Sequence, residues 1–132
     1  MARPSKQLSD DTVDRLLEGA ERLFALHGLK ATRLEDVASS AGISRPSLLY
    51  HFASKDLLYA AVVQRLFGAL GASLSGAMTG EGDFEVRLFE VVRGFSVFLA
   101  DRPDAAAILL RELISPEGPG RQLLIELGRP MI

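Results

Sequence analysis

Apolar residues return every three to four positions from Asp10 to His27, with Val13, Leu16, Leu17, Ala20, Leu23 and Phe24 on one stripe. That spacing is one face of an α-helix and predicts a helix over these residues. Ser9 is placed to cap its start, Asp10 and Asp11 suit the positive end of its dipole, and Gly28 suits its stop. The run Thr32-Arg33-Leu34-Glu35 has the form of a capping box, in which hydroxyl and carboxylate satisfy each other's free backbone N–H groups. It predicts a short second helix through Val37 and Ala38. Ala41-Gly42-Ile43 breaks that helix, because Gly42 can take the left-handed turn that a Cβ disfavours.

Ser44 is the expected cap of a third short helix, with Pro46 in its first turn, where a missing N–H is harmless. Leu48, Leu49 and Phe52 form its apolar side and leave Arg45, Ser47, Tyr50 and His51 facing outward. Ser54 then caps a longer fourth helix from Lys55, with Leu57, Leu58, Ala61, Val62 and Leu66 as its buried stripe. Gly80 and Gly82 place a loop over Met78–Asp83. A fifth helix, about Phe84–Ala100, carries Val86, Leu88, Phe89, Val92, Phe95, Val97, Phe98 and Leu99 on more than one face, the pattern of a central helix. Arg102-Pro103 ends it, and Asp104 caps a sixth helix to about Ile114. A Pro/Gly loop over Ser115–Gly120 precedes a seventh segment at Gln122.

Hydrophobic residues make up 48% of the 132 positions and charged residues 24%, the balance of a folding globular chain with room for one modest core or a small head on a second unit. The absence of cysteine excludes disulfides, thiolate metal sites and cysteine nucleophiles within this sequence, and fits a reducing cytoplasm. Asp10, Asp11, Asp14 and Glu18 interrupt any secretory-signal pattern in the first twenty residues, so no export is implied. The greasiest stretch, Leu57 to Met78, holds Gln64 and Arg65 near its centre and reads as a buried helix rather than a membrane span. Net charge is -2, and residues 1 to 65 carry nine Lys and Arg against eight Asp and Glu. Charge alone therefore does not point to nucleic acid.

The punctuation does. A short helix, a glycine turn and a second short helix, backed by longer helices, is the helix-turn-helix pattern. In such a unit the second helix enters the major groove N-terminus first, where small or polar residues permit close approach, while the first helix crosses the phosphates and sets the register. Met1–Leu8, with Arg3, Pro4 and Lys6, reads either as an arm along a DNA backbone or as a disordered start.

The run TRLEDVASSAGISRPSLLYHFASKDLL, Thr32 to Leu58, resembles the DNA-binding head of the TetR family of bacterial repressors, and the resemblance reaches back to about Ser9. It rests on the threonine at the second helix, the Ala41-Gly42-Ile43 turn, Tyr50-His51-Phe52 and Ser54-Lys55 together. Past about residue 66 the likeness is one of helical character only. It implies an all-α fold: a three-helix DNA-binding head over residues 1–65, then part of a helical ligand-binding and dimerisation domain over 66–132. By this resemblance Thr32 and Arg33 touch phosphates from the start of the second helix. Ser44, Arg45, Pro46 and Ser47 face bases or the flanking backbone, Tyr50 and His51 fall at groove and backbone contacts, and Lys55 binds phosphate from the fourth helix. The family usually has tyrosine where this chain has Leu49, and leucine cannot hydrogen-bond a phosphate.

Each residue also has a plainer reading. Thr32 is a cap, His51 can pack on Phe52, and Lys55 can be a solvated charge. Arg45 at a helix start opposes the macrodipole, which makes a purely structural role less attractive.

The family reading implies a cytoplasmic homodimer that holds a palindromic double-stranded DNA operator and releases it when an unidentified small-molecule effector binds among the helices after the fourth. Such an effector must bind the DNA-incompetent state more tightly. No cofactor, metal, membrane or catalysis is implied. Two histidines and isolated carboxylates such as Glu112 and Glu117 form no catalytic pattern. The competing reading is a helix-turn-helix-shaped protein-interaction module without DNA binding, motivated by the acidic balance and by Leu49. TetR-like proteins continue for several more helices, the last two pairing as a four-helix interface. The sequence ending at Ile132 is therefore expected to be a truncation or a short form of such a chain.

Overall fold

A computed structural model describes residues 5–80, 82–115 and Ile125. Among them are six helices and no strand: α1 (Ser5–Ala31), α2 (Leu34–Ser40), α3 (Arg45–His51), α4 (Lys55–Thr79), α5 (Phe84–Asp101) and α6 (Pro103–Ile114). The all-α expectation is borne out. Contacts divide the chain into one unit ending at Val62 and another beginning at Val63, a boundary inside α4.

In the first unit α2 packs on α1 and α3 packs on α2. Leu16, Ala20 and Phe24 of α1, Val37, Ala38 and Ala41 at α2, Leu48 of α3, and Leu58, Tyr59 and Val62 of α4 are buried. The Phe24 and Tyr59 rings meet edge to face, 5.0 Å between centroids and 90° between planes, an arrangement that adds about 0.5–1.5 kcal/mol to area burial. Gly19 lies at the close approach of α1 and α2, where a Cβ would collide with the Ser40 hydroxyl.

Several local expectations shift. The first helix starts at Ser5 rather than after Ser9, because Lys6, Gln7 and Leu8 are good helix formers with nothing to break them. Ser5–Leu8 is thus helical and not a loose arm, while Met1–Pro4 lies outside the described residues. Gly28 does interrupt the helix, at φ 82° and ψ 170°.

Unlike the predicted stripe of α4, Leu57 is 56% exposed, and Tyr59 and Val63 take buried places beside Leu58, Val62 and Leu66. The helix runs through Met78 to Thr79, which shortens the following loop. Among the described residues, Lys55–Ala77 is long and apolar enough to cross a membrane by length and composition. Its first turns, however, carry Leu58, Tyr59 and Val62 of the first unit's core, which accounts for their apolar character without a bilayer.

In the second unit α5 packs on α6, and Gly94 of α5 lies against Leu74 of α4. Val63, Leu66, Phe98, Ala105, Ile108 and Leu109 are buried, and the Arg102 guanidinium sits 5.5 Å over the Phe98 ring. The sixth helix starts two residues earlier than expected, with Arg102 at its N-cap position and Asp104 inside the first turn.

The expectation that α5 is central is corrected. Phe84, Val86, Leu88, Phe89, Val92, Phe95 and Val97 are exposed, and Phe98 is the residue of that list that is buried. A helix apolar on several faces needs partners on several sides, and the described residues cover only part of its surface. The seventh segment at Gln122 and the loop over 116–120 lie outside the described residues.

Candidate nucleic-acid interface

The candidate interface is built from the end of α1, the turn before α2, and α3 with the start of α4. Its scaffold begins at the Gly28 interruption, which leaves carbonyls at the end of α1 short of helical partners. Thr32 answers them. Its buried hydroxyl donates to the Gly28 carbonyl at 2.7 Å and lies 3.2 Å from the Leu23 carbonyl.

The expected capping box is therefore absent: Arg33 takes the N-cap position of α2 without a side-chain bond, and Glu35 is released from the role assigned to it. The Thr32 hydroxyl, expected to cap α2 and touch phosphate, instead donates its proton inward to α1. Arg33 itself is exposed.

Gly42, at φ 72°, turns the chain from α2 into α3. The Ser47 N–H donates to Ser44 Oγ at 3.2 Å, and the Ser44 hydroxyl donates to Ser47 Oγ at 3.1 Å, so the predicted cap is present and engages a second serine. Pro46 falls in the first turn. Leu48 is fully buried and anchors α3 to the core, which leaves Ser44, Arg45, Pro46, Ser47 and Tyr50 exposed on the other side. Tyr50 is 85% exposed, far beyond what an aromatic ring adopts for packing. Its ring meets half-buried His51 edge to face at 5.3 Å. Leu49 and Phe52 are half-buried, so leucine at the departing position contributes packing.

At the start of α4 the Leu57 N–H donates to Ser54 Oγ at 3.1 Å, the cap expected there. Lys55 is not a freely solvated charge. Its ammonium donates to the carbonyls of Lys30 and Thr32, both at 3.1 Å, tying α4 to the end of α1. Two of its three donors are so engaged.

Thr32, Arg33, Arg45 and Lys55 line one open depression of about 570 Å³, together with Lys30, Ala31, Leu34 and Glu35. Lys30 and Glu35 are its unanticipated charged members. Glu35 Oε1 lies 3.5 Å from Arg45 Nε, with both side chains more than half exposed. Ser44, Pro46, Ser47, Tyr50 and His51 are not in that lining; they lie at or on α3. Lys30 carried a weak signal as the basic residue in the last turn of α1, whereas the Glu35–Arg45 pairing spans a turn and had none.

Residues 16–62 match the family model described as bacterial regulatory proteins, tetR family. That stretch carries the TetR-family signature. The HTH-type transcriptional activator FasR of Mycolicibacterium smegmatis is 34% identical over 90 residues, covering 68% of this chain and 41% of that relative. The HTH-type transcriptional regulator RutR of Escherichia coli K12 is 43% identical over 51 residues, 39% of this chain and 24% of its own length.

Among solved structures, a TetR-like transcriptional regulator from Rhodococcus sp. RHA1 superposes with a TM-score of 0.78 at 27% identity, covering 88% of this chain and 66% of that one. The TetR-family regulator PfmR from Thermus thermophilus gives 0.71 at 25% identity over 86% of this chain and 62% of its own. The chain spans less than half the length of each of these two curated relatives.

Proposed function

We propose that this chain contains the DNA-reading part of a TetR-type transcription regulator, a repressor that holds a palindromic operator as a cytoplasmic homodimer and releases it when a small effector binds. The observation that carries the reading is α3: Leu48 is buried beneath it while Arg45, Pro46, Ser47 and Tyr50 stand exposed on its other side. Arginine, serine and tyrosine supply the donors that base edges and phosphates accept. Thr32 acts indirectly in this reading, because its hydroxyl is committed to α1, and it holds Arg33 and α2 in place for phosphate contact. His51 supports Tyr50, and the remaining donor of Lys55 serves a phosphate in the depression it shares with Arg33 and Arg45.

Residues 1–65 are proposed as the reading head and 66–132 as part of the regulatory domain. In the second unit Arg93 lines a depression of about 510 Å³ together with Ser73, Phe98, Asp101 and Arg102, a polar-edged place for an effector. Phe89, Val92, Phe95 and Leu110 are exposed and enclose no cavity for it among the described residues.

A salt titration tests the reading. Labelled duplexes selected from a random-sequence pool should bind the full chain more weakly as salt rises, with a log–log slope set by the number of phosphates neutralised. Recovered half-sites should lie one helical turn, about 34–36 Å, apart or a multiple of it. A dimer that binds no duplex at low salt is instead a protein-interaction module, the reading that the Glu35 counter-charge would favour.

A further inference from the structure

Resting on that reading, we infer that Glu35 is a positioning residue that directs Arg45 toward a base edge and away from the phosphate backbone. Glu35 makes no capping bond at α2, and its carboxylate reaches across the turn to Arg45 instead, Oε1 to Nε at 3.5 Å. The site of contact on the guanidinium is what matters. With the Glu35 carboxylate beside Nε, the two terminal nitrogens remain as an end-on fork, the geometry that pairs bidentately with O6 and N7 of guanine. An arginine that grips a guanine this way can keep its Nε partner. One that swings away from Glu35 to reach a phosphate gives that pairing up.

Glu35 also adds a negative charge to the depression that Lys30, Arg33, Arg45 and Lys55 line, within a Debye length of any phosphate seated there. Its charge therefore opposes backbone binding on every sequence, while its pairing preserves the arrangement used on one. Both effects raise the ratio of specific to non-specific affinity. The pair itself, exposed on both sides, contributes little to folding, so stability is not its use.

The test compares the full wild-type chain with Glu35→Gln, Glu35→Asp and Arg45→Ala, each used to select duplexes from a random-sequence pool and then titrated against the selected duplex and a scrambled one. Glu35→Gln removes the charge and the ion pair. It should relax preference at one base pair per half-site, lower the specific-to-scrambled ratio by about two- to tenfold as an oriented long side chain regains its freedom, and tighten scrambled binding. Glu35→Asp keeps the charge but shortens the reach, and should relax the same base pair without tightening scrambled binding. Arg45→Ala should lose preference at that base pair, and adding Glu35→Gln to it should change that position no further.

Unchanged base preference in Glu35→Gln, with wild type binding normally, overturns the inference alone. Relaxation at a base pair that Arg45→Ala leaves intact also overturns it. Failure of the wild type to bind any duplex overturns the proposed function and this inference with it.

Discussion

Replacing Gly19 with alanine is the sharpest test of how α2, and through it α3, is held. Gly19 is buried in α1, and an ideal Cβ there would collide with Ser40 Oγ and lie 3.0 Å from Ser40 Cβ. Rotating the hydroxyl away is not free, because it donates to the Val37 carbonyl at 2.6 Å, a bond with a net contribution of about 1 kcal/mol. Even after rotation the two Cβ atoms remain too close, so α2 must shift on α1. Overpacking of this kind costs about 1–3 kcal/mol, against a gain of about 1 kcal/mol from replacing glycine inside a helix.

The expected result is a net loss of roughly 1–2 kcal/mol, read in urea by far-ultraviolet circular dichroism as a midpoint lower by ~0.5–1 M. Adding Ser40→Gly removes both opposing atoms and should recover most of the loss, giving a coupling energy of about 1 kcal/mol or more between the two positions. A Gly19→Ala protein as stable as wild type, or one that Ser40→Gly does not rescue, would refute the close-approach argument.

Lys55→Ala should do two things at once: lower stability by about 1–3 kcal/mol through loss of its bonds to the Lys30 and Thr32 carbonyls, and reduce the salt slope of duplex binding by about one. An unchanged melting temperature would show that the carbonyl bonds are not holding α4. Gly42→Ala meets no atom within 4 Å, so its cost is the positive φ alone, roughly 1–2 kcal/mol in the same urea titration. Tyr50→Ala should leave stability within about 0.5 kcal/mol, since the ring is 85% exposed, while weakening duplex affinity measurably by anisotropy. Equal affinity in that variant would remove Tyr50 from the interface.

Local rules carried far along this chain. Gly42 adopts the left-handed turn its position demanded, Ser44 and Ser54 cap the helices they precede, and Pro46 sits in a first turn, because each depends on atoms within three or four residues. The same range explains why Leu16, Ala20, Phe24 and Leu48 were legible as core from periodicity alone. The exposed half of the candidate interface followed as the complement of that stripe.

What only the tertiary structure decided involves partners that sequence spacing does not bring together. Thr32 had the neighbours of a capping box, yet its hydroxyl answers carbonyls that the Gly28 interruption leaves behind in α1. Lys55 finds its acceptors 25 and 23 residues back in the chain, and Glu35 finds Arg45 only because the Gly42 turn folds α3 beside α2. Gly19 and Ser40 touch for the same reason. In α5 the apolar pattern promised burial, but burial needs a covering surface as well as an apolar one, and Phe84, Phe89 and Val92 remain exposed. The amino-acid order by itself sets which backbone conformations and helix faces are favourable, whereas the meeting of helices decides which polar groups find one another.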